Sequence, residues 1–186
     1  TDAERETVLA ALPAHMKLPI ALMMFYALDP QDALALPRSA ISDAGLDTRR
    51  NKTGQPIYLP LFQPVADAIA AAPRHDAVTL CANSRGLPWT YNGFSTNWAK
   101  LKGQLEAEGT IQPGLTLKGL RHTVATILAE MGRDHGTIAL VLGHATEAMA
   151  KHYSRRADMR RQATSAVADF GVELNERKTR VVKPGG

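Results

Sequence analysis

Residues 115–153, LTLKGLRHTVATILAEMGRDHGTIALVLGHATEAMAKHY, constrain this chain more than any other stretch. Gly132 and Gly143 divide it into three helical pieces, expected at Leu117–Met131, Asp134–Leu142 and Ala145–Tyr153, because glycine readily takes the left-handed turn that ends a helix. Lys118 and Arg121 are three apart, so on a helix they project from one face and can grip one anion. His144 follows Gly143 directly, where a helix ends and a side chain can point into a cleft. Tyr153 stands nine residues later, beside Arg155. A phenol with an ordinary pKa of roughly 10 is protonated at neutral pH, so a nucleophilic tyrosine needs cations and a proton acceptor close by.

Taken together, these residues resemble the catalytic domain of the tyrosine recombinases, the phage-integrase-like enzymes that cut and rejoin DNA. That family's pattern is a basic residue and Arg three apart in a helix that often continues Arg-His-Thr-x-Ala-Thr. Here Leu120-Arg121-His122-Thr123-Val124-Ala125-Thr126 reproduces it, and Leu142-Gly143-His144 and Tyr153 follow in the family's order. The resemblance runs from about Thr1 to about Phe170. It implies a mainly α-helical fold with a small antiparallel β-sheet (α+β), with a catalytic domain at residues 1–170 and a basic tail at 171–186.

The resemblance also implies a mechanism. The Tyr153 oxygen attacks a DNA phosphodiester in line, leaving a 3′-phosphotyrosine and a free 5′-hydroxyl. Bond energy is conserved in the link, so neither ATP nor metal is needed and no cofactor is expected. Arg121 would hold the phosphate through two N–H groups, a geometry lysine cannot copy. Lys118 stands where the family usually has His and would assist proton transfer or add charge, and His144 would donate to a non-bridging oxygen. Lys52, in Arg49-Arg50-Asn51-Lys52-Thr53-Gly54, matches the hairpin lysine that protonates the leaving oxygen. Arg49 and Arg50 would join it in binding DNA. The implied partners are double-stranded DNA and either further copies of the chain on that DNA or an active recombinase. Each residue also has an ordinary reading: a surface salt bridge for Arg121, a solvated side chain for Lys118 and Lys52, a helix cap for His144, a core phenol for Tyr153.

One position conflicts with the pattern. The family carries Thr-Gly-x-Arg, then an acidic residue and Leu, where this chain has Tyr26-Ala27-Leu28-Asp29 and then Asp32 and Leu34, so the first catalytic Arg falls on Asp29. A carboxylate about 5 Å from a phosphate charge is repelled by roughly 3 kcal/mol at an effective dielectric of about 20. The lost donor removes about 3 kcal/mol more. Together these predict a rate loss of about 10³ to 10⁵. The expectation is therefore an impaired recombinase, the alternative being an inactive relative that binds DNA as a regulator or passive subunit.

The rest of the chain reads in keeping with that fold. Helices are expected to about Leu12, from about Met16 to Tyr26 and from Pro30 to Leu36, with prolines 13, 30 and 37 as punctuation. Ala40 to Leu61 reads as short strands around a basic hairpin. Further helices are expected at Pro64–Ala72, Tyr91–Leu105 and Ala157–Phe170, and Val78–Cys81 as a short buried strand or turn. A helix-turn-helix over Thr123–Leu142 is disfavoured, because the second helix offers Ile138-Ala139-Leu140-Val141-Leu142, side chains that cannot read base edges.

Composition only sets bounds. A formal net charge of +4 suits a nucleic-acid partner but does not single one out. The single Cys81 cannot form a disulfide within the chain, and neither Cys-x-x-Cys nor His-Glu-x-x-His is present to suggest zinc, so no metal site is expected. The apolar run Leu18–Leu28 is too short to span a bilayer and reads as a buried helix. The expected location is the bacterial cytoplasm, on the nucleoid, with no membrane partner.

Overall fold

The computed structural model describes residues 2–143. Helix α1 (Asp2–Ala11) stops short of Pro13, and α2 (Ala14–Phe25) forms the centre of the core. Met16 and every residue from Leu18 to Met24 are buried in α2. A helix apolar on all sides has to be covered on all sides. The covering comes from α1, α3 (Pro30–Ala35), α4 (Gln63–Ala70) and α6 (Leu117–Glu130).

Pro19 lies inside α2 and cannot donate to the carbonyl of His15, four residues earlier. That carbonyl instead accepts from the Trp89 indole Nε1 at 3.5 Å, and the His15 ring stacks on Trp89 with centroids 5.8 Å apart. Trp89 in turn meets Phe94 of α5 (Tyr91–Ala107) edge to face at 5.1 Å. The proline that weakens the central helix thus helps to seat its neighbour.

The corner after α2 is the tightest backbone feature of the described residues. Ala27 is fully buried and holds φ at 51°, the one non-glycine residue there with positive φ. The chain closes over it with a Leu28 N–H to Leu22 carbonyl bond of 3.4 Å. The glycine that the resemblance places here would take that dihedral without strain. Its methyl packs in a buried apolar cluster with Ala125, Ala129, Ile138, Ala139 and Leu142, which brings α6 and α7 (His135–Leu142) against the corner.

Strands β1 (Ile41–Ser42), β2 (Gly45–Arg49) and β3 (Pro56–Pro60) form an antiparallel meander. Leu46 pairs with Leu59 and Thr48 with Ile57. Leu46, Ile57 and Leu59 face inward, whereas Asp47, Tyr58 and Arg49 face out, the period of two expected of a half-buried sheet. β3 packs against α7, which sets the β2–β3 loop beside the end of that helix.

The expected fold class holds, and the helices start and stop within a few residues of the positions read from proline, glycine and polarity. One segment differs. Val78 is 80 % exposed rather than buried, and residues 78–80 form only an isolated bridge, Pro37 to Thr79, flanked by Arg38 N–H to Val78 and Leu80 N–H to Leu36 bonds. The segment is tied to the exit of α3 by its backbone, so Val78 can point outward. No helix of the described residues is long and apolar enough to cross a membrane. The helices expected at 145–153 and 157–170, and the tail at 171–186, lie outside the described residues.

Holding alanine in the left-handed region costs about 1–2 kcal/mol. Glycine removes that cost but gives back a similar amount, roughly 1–2 kcal/mol, through its freer unfolded chain and the lost methyl. Ala27→Gly is therefore expected to unfold within about 1 kcal/mol of the parent chain. Ala27→Val, β-branched and overpacked at the same dihedral, is expected to lose roughly 3 kcal/mol. Urea unfolding of both variants checks the pair of values.

Candidate active site and DNA interface

Helix α6 begins at Thr116, whose Oγ1 accepts the Gly119 N–H at 2.9 Å. The cap fixes the register of the first turn. Lys118 is consequently exposed, while Arg121, one turn on, is half-buried against the α2–α3 corner. Arg121 Nη1 donates to the Ala27 carbonyl and Nη2 to the Leu142 carbonyl, both at 2.7 Å.

A second guanidinium uses the same two acceptors. Arg50, immediately after β2, donates from Nη2 to Ala27 O at 3.3 Å and also to Leu142 O. It is only 6 % exposed, and its Nη1 bonds Asp32 Oδ2 at 3.0 Å. The other oxygen of Asp32 accepts the Asn51 N–H at 3.0 Å, so one carboxylate holds both the arginine and the loop that follows it. Burial pulls the Arg50 guanidinium below the usual arginine value. The hydrogen bond and charge of Asp32, and then the charge of Asp29, oppose that shift.

Helix α7 carries the other end of the arrangement. Asp134 caps its start, accepting the Thr137 N–H at 2.9 Å and the Thr137 hydroxyl at 2.6 Å. These bonds hold the Asp134 carboxyl below its usual value. Gly143 ends the helix in the left-handed conformation, φ 59° and ψ 42°. A side-chain carbon at 143 would lie 2.8 Å from both Arg50 Nε and Ile57 Cγ1. The last carbonyls of a helix have no partner within it and carry its partial negative charge. Two guanidiniums on Leu142 O answer both conditions.

The hairpin presents its charges unequally. Arg49 is exposed, with Nη1 3.3 Å from the Gly54 carbonyl. Lys52 is exposed in the turn closed by Arg50 N–H to Gln55 O and Gly54 N–H to Arg50 O. Arg50, expected beside them as a DNA-binding residue on the surface, is turned inward, because successive side chains of an extended strand point to opposite faces. Asp29 sits half-buried at the N-cap of α3 and accepts the Gln31 N–H at 3.1 Å. His144 and Tyr153 lie outside the described residues. The chain leaves Gly143 toward His144 from within the arginine cluster.

Sequence reasoning missed the Arg50–Asp32 pair. A signal existed: Asp32 stands beside the apolar Ala33 and Leu34 in a short helix whose residues 32–34 are all buried, and a buried carboxylate needs a partner.

The model of the phage integrase family matches residues 33–160, well over half of the chain. The chain belongs to the phage integrase family. Among solved structures it is similar to XerA recombinase, with a TM-score of 0.73 and 18 % identity over 89 % of this chain and 64 % of that one. It is also similar to the Tn1549 transposon integrase in complex with circular intermediate DNA, with a TM-score of 0.66 and 18 % identity over 87 % of this chain and 66 % of that one. A lambda integrase tetramer bound to a Holliday junction gives a TM-score of 0.65 and 20 % identity, over 82 % and 46 %. This integrase-family chain therefore spans less than two thirds of the length of these structures. No curated protein matches it.

Two substitutions test the cluster as a structural unit. Gly143→Ala is expected to cost roughly 2–4 kcal/mol, from the left-handed backbone and from crowding Arg50 and Ile57. Asp32→Ala strands the buried guanidinium and is expected to cost about 3–5 kcal/mol. Denaturant midpoints measured with the parent chain alongside read both losses.

Proposed function

We propose that this chain is the catalytic domain of a tyrosine recombinase acting on double-stranded DNA. The observation that carries the reading is the presentation of Arg121. Its fork is held on two carbonyls, with Lys118 exposed one turn earlier on the same helix. A pre-aimed guanidinium stabilises charge developing on a phosphate without reorganising when the reaction occurs.

In the proposed reaction the Tyr153 oxygen, having lost its proton, attacks phosphorus, and the bond to the 5′ oxygen breaks. Lys52 gives that oxygen its proton, and Arg121, Lys118 and His144 share the charge of the non-bridging oxygens. Attack by the freed hydroxyl of another strand reverses the step and rejoins the DNA. No metal or nucleotide is consumed. The DNA complexes and the tetramer among similar structures support a reading in which several copies, or one copy with an active recombinase, assemble on DNA; the location that goes with this proposal is the bacterial cytoplasm, on the nucleoid.

Asp29 favours a second reading, a DNA-binding relative with impaired cleavage. Its carboxylate occupies the first-arginine position and also has a structural task as the cap of α3. Replacing it with arginine restores a donor and gives up a cap worth about 1 kcal/mol. On a suicide DNA substrate the parent chain is expected to give little covalent adduct, Asp29→Arg more, and Asp29→Arg with Tyr153→Phe none. Abundant adduct from the parent would remove the impairment, and none from a folded, DNA-binding Asp29→Arg chain would favour the regulatory reading.

Binding is tested apart from chemistry. Phosphate contacts from Arg49 and Lys52 release counterions, so replacing both with Ala is expected to reduce the slope of log K against log salt by about 2. An unchanged slope would place the DNA on another face.

A further inference from the structure

We infer that Arg50 is a positioning residue: neutralised by Asp32, it fixes the two carbonyls on which Arg121 is aimed and ties the Lys52 loop to them. The inference rests on the recombinase reading for its catalytic consequence, but its geometry stands on its own.

Three observations carry it. Arg50 and Arg121 come from distant parts of the chain and converge on Ala27 O and Leu142 O. Each guanidinium bridges the α2–α3 corner to the end of α7, so each restrains the acceptors of the other. Secondly, Asp32 spends one oxygen on Arg50 and the other on the Asn51 N–H, and Lys52 is the next residue. The loop that carries Lys52 is thereby registered to the same carbonyls as Arg121. Thirdly, Arg50 is buried, and its Nε has no hydrogen-bond partner among the described residues. That atom lies where a side chain at 143 would intrude, so the cluster is packed against the peptide that leads to His144. A surface arginine meant for DNA would keep its donors in water. This one is enclosed, and its Nη2 donates to the two carbonyls that also hold the catalytic arginine.

The test pairs a spectroscopic readout with binding and cleavage. In arginine-labelled full chain, the Arg121 guanidinium, assigned by loss of its signals in Arg121→Lys, is expected to give separate signals for nitrogens slowed in rotation by the two carbonyls. In Arg50→Met combined with Asp32→Leu, which removes both buried charges together, those signals are expected to average. DNA affinity and its salt slope should stay as in the parent, while adduct formation, read with Asp29→Arg present in both chains, falls on the order of 100-fold, as expected of a misplaced catalytic group. Arg50→Lys keeps the charge pair with Asp32 but cannot span both carbonyls, and should behave likewise. It carries the test if the double variant fails to fold.

Unchanged Arg121 signals in either folded variant overturn the inference. So does a salt slope reduced by about 1, which would make Arg50 a phosphate contact. Absence of adduct from every chain, Asp29→Arg included, would count against the recombinase reading alone, since the arginine signals still decide the role of Arg50.

Discussion

Two carbonyl oxygens, Ala27 O and Leu142 O, each receive two guanidiniums, and the positions of four chain segments follow from that sharing. One carbonyl belongs to a left-handed corner and the other to a helix end, so neither sits in a regular ladder. A buried carbonyl without a donor costs about 1–3 kcal/mol, which makes the donors obligatory. Two like charges at a separation of about 5 Å repel by roughly 3 kcal/mol at an effective dielectric of about 20. Asp32 at hydrogen-bond distance, the α7 dipole and the carbonyls themselves offset that repulsion. Arg50 and Asp32 are thus required together, and neither is intelligible alone.

The cluster also fixes what Asp29 does electrostatically. Arg50 and Arg121 are matched in formal charge by Asp29 and Asp32, so the corner is close to neutral before any phosphate arrives. An active site that must accumulate negative charge gains little from a neutral surround. The Asp29 carboxylate accepts the Gln31 N–H, which under the proposed function would soften its repulsion of a phosphate but not remove it. The binding proposed for the exposed hairpin would be less affected, because Arg49 and Lys52 lie in water, where salt rather than the corner sets their reach.

Local chemistry was legible in the sequence and long-range satisfaction was not. Proline, glycine and cap residues place α1 to α7 because each acts within a turn of itself. The helix that carries Lys118 and Arg121 was readable for the same reason. The inward turn of Arg50 was written in the alternation of β2, where Leu46 and Thr48 share a parity that Arg50, the residue after the strand, continues and Arg49 does not, but the run of basic residues concealed it. The partners of Pro19 and Ala27 could not be read at all. Trp89 lies 74 residues from His15 in sequence, and the carbonyl of Ala27 is met by side chains 23 and 94 residues away.

Two departures from the family pattern, Ala27 for glycine and Asp29 for arginine, fall within three residues, and they differ in kind. The first keeps its geometry: alanine at φ 51° still aims its carbonyl at both guanidiniums, and the buried apolar residues of α6 and α7 accept its methyl. The second changes charge while keeping the backbone, since aspartate is among the better caps for α3. A corner that tolerates strain in order to keep its carbonyl in place, while its neighbour changes sign, is built around Arg121 more than around the first cation. In the proposed reaction, loss of that cation would weaken charge stabilisation at the phosphate, whereas loss of the corner would release α3, α7 and the hairpin together.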